Sequence, residues 1–233
     1  MQFQISPPVL ASFPGLNIGV VVARDIDNRG ECPELGALLT GMANGIKDTL
    51  TVESLAENPK LLSWRAAYKA FKAKPKKYKC SVENLYRMIL SGVELRSINK
   101  VVDIYNLISL KYMIPAGGDD LNCIAGDICL RHATGEEVFL PLNSTETAHP
   151  KEGEVVYADA TDILCRRWNW RECDKSKMRD DTSSVALVVE GLPPFTEDEM
   201  TAITEELAEL VEKFCGGSTV TYIVNGAQPA VDI

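Results

Sequence analysis

The segment Arg166-Arg167-Trp168-Asn169-Trp170-Arg171 gathers three arginines and two of the chain's three tryptophans into six residues. Guanidiniums bind carboxylate or phosphate through paired hydrogen bonds. Indoles supply apolar area or a stacking platform. In a strand, Arg167, Asn169 and Arg171 would share one face, with Arg166, Trp168 and Trp170 on the other. Two readings follow. One is a cleft wall for an anionic or aromatic ligand. The other is a half-buried strand whose tryptophans enter the core while its arginines reach water.

A second polar constellation lies within residues 97 to 111. Ile98, Val101, Val102, Ile104, Tyr105, Leu107, Ile108 and Leu110 make the segment apolar nearly all round, so a buried helix is expected. Asn99, Asp103 and Asn106 nevertheless form one stripe at i, i+4, i+7. Buried polar groups must be hydrogen-bonded or line a wet cleft. The stripe is either a structural network or a pocket wall. Asp119-Asp120 and Asp180-Asp181-Thr182 are short acidic clusters in expected loops. They suit orienting a water or holding a metal, and equally suit turns.

Charge is uneven. The chain carries a net charge of −9, yet Lys60 to Lys79 holds eight basic residues and no acid. The overall acidity argues against generic nucleic-acid binding, whereas the local basic run points to an anionic partner or a solvated helix face. Arg65, Lys69 and Lys72 recur at helical spacing, and Lys74, Lys76 and Lys77 continue the patch into a turn.

Other chemistries find no support. There is no nucleophile elbow, phosphate loop, dinucleotide fingerprint or His-Glu-x-x-His. Seven cysteines without a Cys-x-x-Cys pair, and only two histidines, give neither a zinc set nor a disulfide framework. No metal or cofactor is expected. Free thiols fit a reducing cytoplasm. No apolar run reaches the ~20 residues of a membrane helix. Residues 1–16, without a basic start and with three prolines, do not read as a signal peptide.

The positioning elements follow from periodicity. Asn17 to Ala23 reads as a buried strand. Helices are expected from Pro33, from Asn58-Pro59 with Leu61, Trp64, Tyr68 and Phe71 inward, from Ser81 to about Leu90, and over 97–111. Residues 115–120 read as a loop. Strands are expected at 121–132, 137–141, 153–158, 162–170 and 184–190. Thr196 and Glu199 form a capping box for a long helix ending at Gly216-Gly217, before a last strand at 219–224. The fold class is α+β: helices in the N-terminal half, a mixed sheet in the second half, and a C-terminal β-α-β unit with parallel strands.

The order of these motifs resembles the B3/B4 domain of the bacterial phenylalanyl-tRNA synthetase β subunit. Ile98-Asn99-Lys100-Val101-Val102-Asp103-Ile104-Tyr105-Asn106 is similar to its Ile-Asn-x-Val-Val-Asp-x-x-Asn helix signature. A glycine-rich loop ending in Asp120, a turn at Gly135-Glu136, Val155-Val156-Tyr157-Ala158-Asp159, and Asp180-Asp181-Thr182 follow in the family's order. The resemblance covers roughly residues 60 to 195 and implies a B3/B4-like domain over 1–233.

That domain hydrolyses a wrongly attached tyrosine from tRNA. The resemblance therefore implies an editing-like ester hydrolase acting in trans, with the aminoacyl end of a tRNA and a small amino acid as partners. It implies Asp120 or Glu172 as the group orienting water. Asn99, Asp103, Asn106, Gly117, Arg167, Trp168, Asn169, Arg171 and Thr182 would line the site. Arg65, Lys69, Lys72, Lys74, Lys76 and Lys77 would meet the tRNA. A binding module without turnover, for RNA or an amino acid, is the alternative. Two stretches depart from the family. Where its loop reads Gln-Pro-x-His-Ala-Phe-Asp, this chain reads Ile114-Pro115-Ala116-Gly117-Gly118-Asp119-Asp120, with Gly117 at the pocket histidine. The family's small Ala-Gly-Val-Met-Gly-Gly run is here Cys165-Arg166-Arg167-Trp168-Asn169-Trp170. A pocket of different shape and charge is expected.

Overall fold

The computed structural model describes residues 1–233. The chain opens with β1 (Gln2–Ile5), α1 (Pro7–Ser12), β2 (Asn17–Arg24) and α2 (Pro33–Thr49). Three helices follow: α3 (Pro59–Ala70), α4 (Ser81–Leu90) and α5 (Lys100–Tyr112). The second half runs β3 (Ala116–Asp120), β4 (Ile128–His132), β5 (Val155–Ala158), β6 (Ile163–Arg166), β7 (Arg171–Glu172) and β8 (Ser184–Gly191). It closes with α6 (Glu197–Cys215), β9 (Ser218–Asn225) and β10 (Ala230–Asp232). No helix is long and apolar enough to cross a membrane.

Two sheets result, ordered β10-β1-β4-β5-β6-β7 and β3-β8-β2-β9. The apolar run at β2 is the centre of the smaller sheet, antiparallel to both β8 and β9 over its full length. The expected parallel relation of the C-terminal β-α-β unit therefore holds, with β2 inserted between its strands. Full burial of Ile18, Val20 and Val21 explains why β2 is continuously apolar rather than alternating. A single cluster of 61 buried apolar residues joins both sheets to the helices.

Helix starts follow local chemistry. Asn58 accepts from Lys60 N, and Thr196 with Glu199 forms the reciprocal capping box. The α4 cap position falls on Cys80, one residue before Ser81. The helix expected from 97 begins at Lys100, because Asn99 is extended and caps it.

Three corrections bear on function. The 115–120 segment is an edge strand, β3, paired with β8 through Gly117↔Val188 and Asp119↔Ala186. Its glycines permit this close approach: a Cβ on Gly118 would overlap Ala186 O. The strand expected over 162–170 ends at Arg166, and the chain reverses through 167–170 before β7. Arg167 and Trp168 make that turn with φ of 48° and 66°, left-handed values costly for side-chain-bearing residues. Of 121–132 only 128–132 is strand, and 137–141 contributes just isolated bridges at Phe139 and Pro141.

Candidate functional site

The turn at 167–170 divides the arginine–tryptophan segment instead of displaying it on one face. Trp168 is fully buried and packs against Phe13, Trp64 and Phe71 at ring-centroid separations of 4.8, 5.0 and 6.5 Å. Its indole Nε1 donates to Glu190 Oε1 at 2.7 Å, and Asn169 Nδ2 donates to Glu190 Oε2 at 2.6 Å. Tyr157 Oη donates to the same carboxylate at 2.6 Å, and Tyr68 Oη donates to Asn169 Oδ1 at 2.8 Å. Arg166 forms a bidentate pair with buried Glu154. Arg171 is exposed and donates to Leu142 O. Arg167 sits apart, above Tyr78 and Trp170.

Below this turn an inner cavity of about 20 Å³ lies between the sheets. That is room for about one water. Asp119, Glu172 and Glu190 all line it, together with Gly117, Gly118 and Tyr157. Burial pushes Glu190 up to about 7, despite three hydrogen bonds that favour its charge. Burial likewise raises Asp119 to about 6. Burial, then the charge of Asp119, hold Glu172 well above the usual carboxylate range. No group of three or more His, Cys, Asp or Glu side chains converges as a metal set.

Glu172 and Gly118 also line an open cleft of about 240 Å³. Its apolar wall comes from Ile98, Val102, Tyr105 and Met178; Asn143, Ser176 and Lys177 supply polar groups. Ser176 Oγ donates to Asp119 Oδ1, so the hydroxyl links cleft to cavity. Glu172 is thus the carboxyl common to the substrate-sized opening and the water-sized chamber behind it. It reaches this place because β7 pairs with β6 in register Cys165↔Glu172.

The remaining residues expected at the site are dispersed. Asp120, next to Asp119, turns elsewhere: it accepts from Thr182 Oγ1 at 2.6 Å and from Asn122 N at 3.0 Å. Asp120 and Thr182 therefore hold a loop together, and Asp119 takes the place beside Glu172. Alternation along β3 separates the two neighbours. Asn99 accepts from Val102 N and donates to Met178 O. Asp103 accepts from Ile98 N and Ser97 Oγ. Asn106 opens onto an apolar groove with Leu39, Leu85 and Met88. Asn99 and Asp103 form a capping and loop-tying network, without Asn106; the apolar neighbours Val102 and Tyr105 face the cleft.

The basic run also divides. Arg65 is bound to buried Glu83 through Nε and Nη2, and Arg87 shares that carboxylate. Lys60 donates to Tyr112 O. Lys69, Lys72, Lys74, Lys76 and Lys77 are exposed and form no ion pairs. Asp119 and Ser176 were the residues least legible in the sequence. Asp119 stood beside an equally acidic neighbour, and Ser176 carried no motif.

A family model described as the B3/4 domain matches residues 63–225. Among solved structures, the chain is similar to an N-terminal fragment of the phenylalanyl-tRNA synthetase β-subunit from Pyrococcus horikoshii, with a TM-score of 0.49 and 11% identity. The match covers 93% of this chain and 49% of that one, so this chain spans about half of that fragment's length. No curated protein matches.

Proposed function

Since the chain belongs to the B3/4 domain family, we propose that it is a trans-acting hydrolase of the ester between an amino acid and tRNA. The observation carrying this reading is the carboxyl pair Asp119–Glu172: both line the inner chamber, where their environments raise them to different extents, and Glu172 also lines the open cleft. Two carboxyls pushed apart in this way suit opposite roles at neutral pH. Asp119, at about 6, is mostly ionised at neutral pH and acts as base. Glu172, raised by burial and then by the charge of Asp119, acts as acid.

The aminoacyl group occupies the cleft, with its side chain against Val102, Tyr105 and Met178. A water in the inner chamber gives a proton to Asp119 while its oxygen attacks the ester carbonyl. The carbon–oxygen bond to the ribose breaks, and Glu172 supplies the proton to the departing hydroxyl. The products are a free amino acid and an uncharged tRNA. No covalent intermediate is needed, so the lack of a nucleophile-elbow motif in the sequence fits. Exposed Lys69, Lys72, Lys74, Lys76 and Lys77 approach the tRNA backbone.

The test is deacylation across a full panel of mischarged tRNAs. Cleavage of at least one above the buffer rate, lost in Glu172→Gln, is expected. Wild-type protein that cleaves none would sink the hydrolytic reading. Thermal stabilisation by an amino acid or tRNA without cleavage would instead indicate a binding module on the same fold.

A further inference from the structure

A second cleft, of about 220 Å³, opens on the basic side of the 167–170 turn. Lys72, Lys74 and Lys77 line it from the segment after α3, Lys151 from the loop before β5, and Arg167 from the turn. Arg167 is 6% exposed. Its guanidinium carbon stands 3.8 Å from the Tyr78 ring centroid and 4.4 Å from that of Trp170. The two rings are nearly perpendicular, with centroids 4.9 Å apart, and both lie within cation–π distance of the guanidinium.

None of the Arg167 side-chain nitrogens donates a hydrogen bond within the protein. Its one carboxylate neighbour is Glu154 Oε2, at 3.7 Å. That carboxylate already accepts Arg166 Nε at 2.8 Å and Arg166 Nη2 at 3.1 Å. The guanidinium is thus not sealed in the core: it lines the cleft with its donors unclaimed by any protein hydrogen bond and open to a ligand there. Desolvation and the adjacent Arg166 charge lower its affinity for its proton, although Glu154 opposes this. The backbone places it there at a left-handed φ of 48°. The acids at the cleft are Glu154, neutralised by Arg166, and exposed Glu152. Four lysines without ion-pair partners leave a strong positive excess. A planar fork packed against two aromatics, beside exposed ammonium groups, matches a phosphate better than a single carboxylate.

We propose that this cleft is a phosphate-ester site of a nucleic-acid strand, in which the Arg167 fork binds one backbone phosphate and Lys74, Lys77 and Lys151 neutralise that phosphate and its neighbours. The inference deepens the tRNA reading above by naming where its backbone docks. It uses none of the acid-lined groups, so the two fail separately.

The experiment is fluorescence anisotropy of a labelled single-stranded oligoribonucleotide with the full chain, competed by inorganic phosphate and by adenosine monophosphate. The Lys74→Gln/Lys77→Gln double variant alters exposed side chains only. Its affinity is expected to fall about tenfold or more at low salt, and its salt slope to shrink by about 1.4. Arg167→Lys keeps the charge but removes the fork, and should weaken binding similarly if its melting temperature is retained; if it unfolds, the double lysine variant carries the test. Competition only at large excess identifies a strand as the source. Competition by phosphate or the mononucleotide at comparable concentration sustains the phosphate site but replaces the strand with a free nucleotide or ion. Absence of binding by all three probes, or equal affinity of wild type and the double variant, overturns the proposal. Failure of the hydrolytic reading appears elsewhere, as no ester cleavage by wild-type protein whatever its affinity for the oligonucleotide.

Discussion

Gly117 lies against the carboxylate of Glu172: a Cβ on Gly117 would stand 3.3 Å from Glu172 Oε1. The absent side chain is what lets an edge strand pass beside a carboxyl at the floor of the cleft. Gly117→Ala should keep the fold, because only a flexible carboxylate must give by a few tenths of an ångström. It should slow ester cleavage by up to about tenfold, since small misplacements of a reacting group are costly. Unaltered cleavage alongside an unchanged melting temperature would show that Glu172 needs no such placement.

The acid–base pair predicts a pH–rate profile. Activity should rise as Asp119 loses its proton near 6 and fall once Glu172 ionises at higher pH. Because the carboxyls interact, the two limbs belong to the pair. Asp119→Asn should abolish the acid limb and reduce cleavage by about 10²–10⁴-fold. Asp120→Asn should instead lower stability, since Asp120 holds Thr182 and Asn122. A reversed pattern would restore Asp120 as the working acid.

Glu190 makes stability depend on pH. Its ordinary value is 4.5, and in the folded protein it rises to about 7. The folded state therefore holds the proton more tightly. The resulting stabilisation is complete below about 4.5 and is lost as pH climbs to about 7, amounting to roughly 3 kcal/mol. Denaturant unfolding at pH 5 and pH 8 should reveal it as a loss of stability at the higher pH. Glu190→Gln should make that dependence shallower, leaving the share contributed by Asp119 and Glu172. An equal slope in wild type and variant would mean another group is responsible.

Asn99 caps α5 and donates to Met178 O, so Asn99→Ala should cost about 1–2 kcal/mol. Thermal and denaturant unfolding would measure this. Once folded, the variant should bind cleft ligands as wild type does. A large loss of affinity with full stability would return Asn99 to the pocket wall.

Much of the scaffold was legible from local chemistry. Asn58, the Thr196–Glu199 box and the valine run at β2 act through neighbours close in sequence, and periodicity registers them directly. The helix at 100–112 was legible for the same reason, whereas its Asn99–Asp103–Asn106 stripe left a network and a pocket wall equally open. The family order of motifs gave the B3/4 fold. What one dimension could not separate was Asp119 from Asp120. Both are acids in a glycine-rich stretch, and only pairing of β3 with β8 turns one toward Glu172 and the other toward Thr182. The arginine–tryptophan segment was ambiguous likewise. An alternating pattern fits a strand, but a left-handed turn at Arg167 and Trp168 sends the indole into the core and leaves the guanidinium against two rings. Sequence determined the inventory of charges and the local starts and stops, because those depend on near neighbours. Tertiary structure decided which charges share low-dielectric space, and hence which carboxyls and which arginine are available to a ligand.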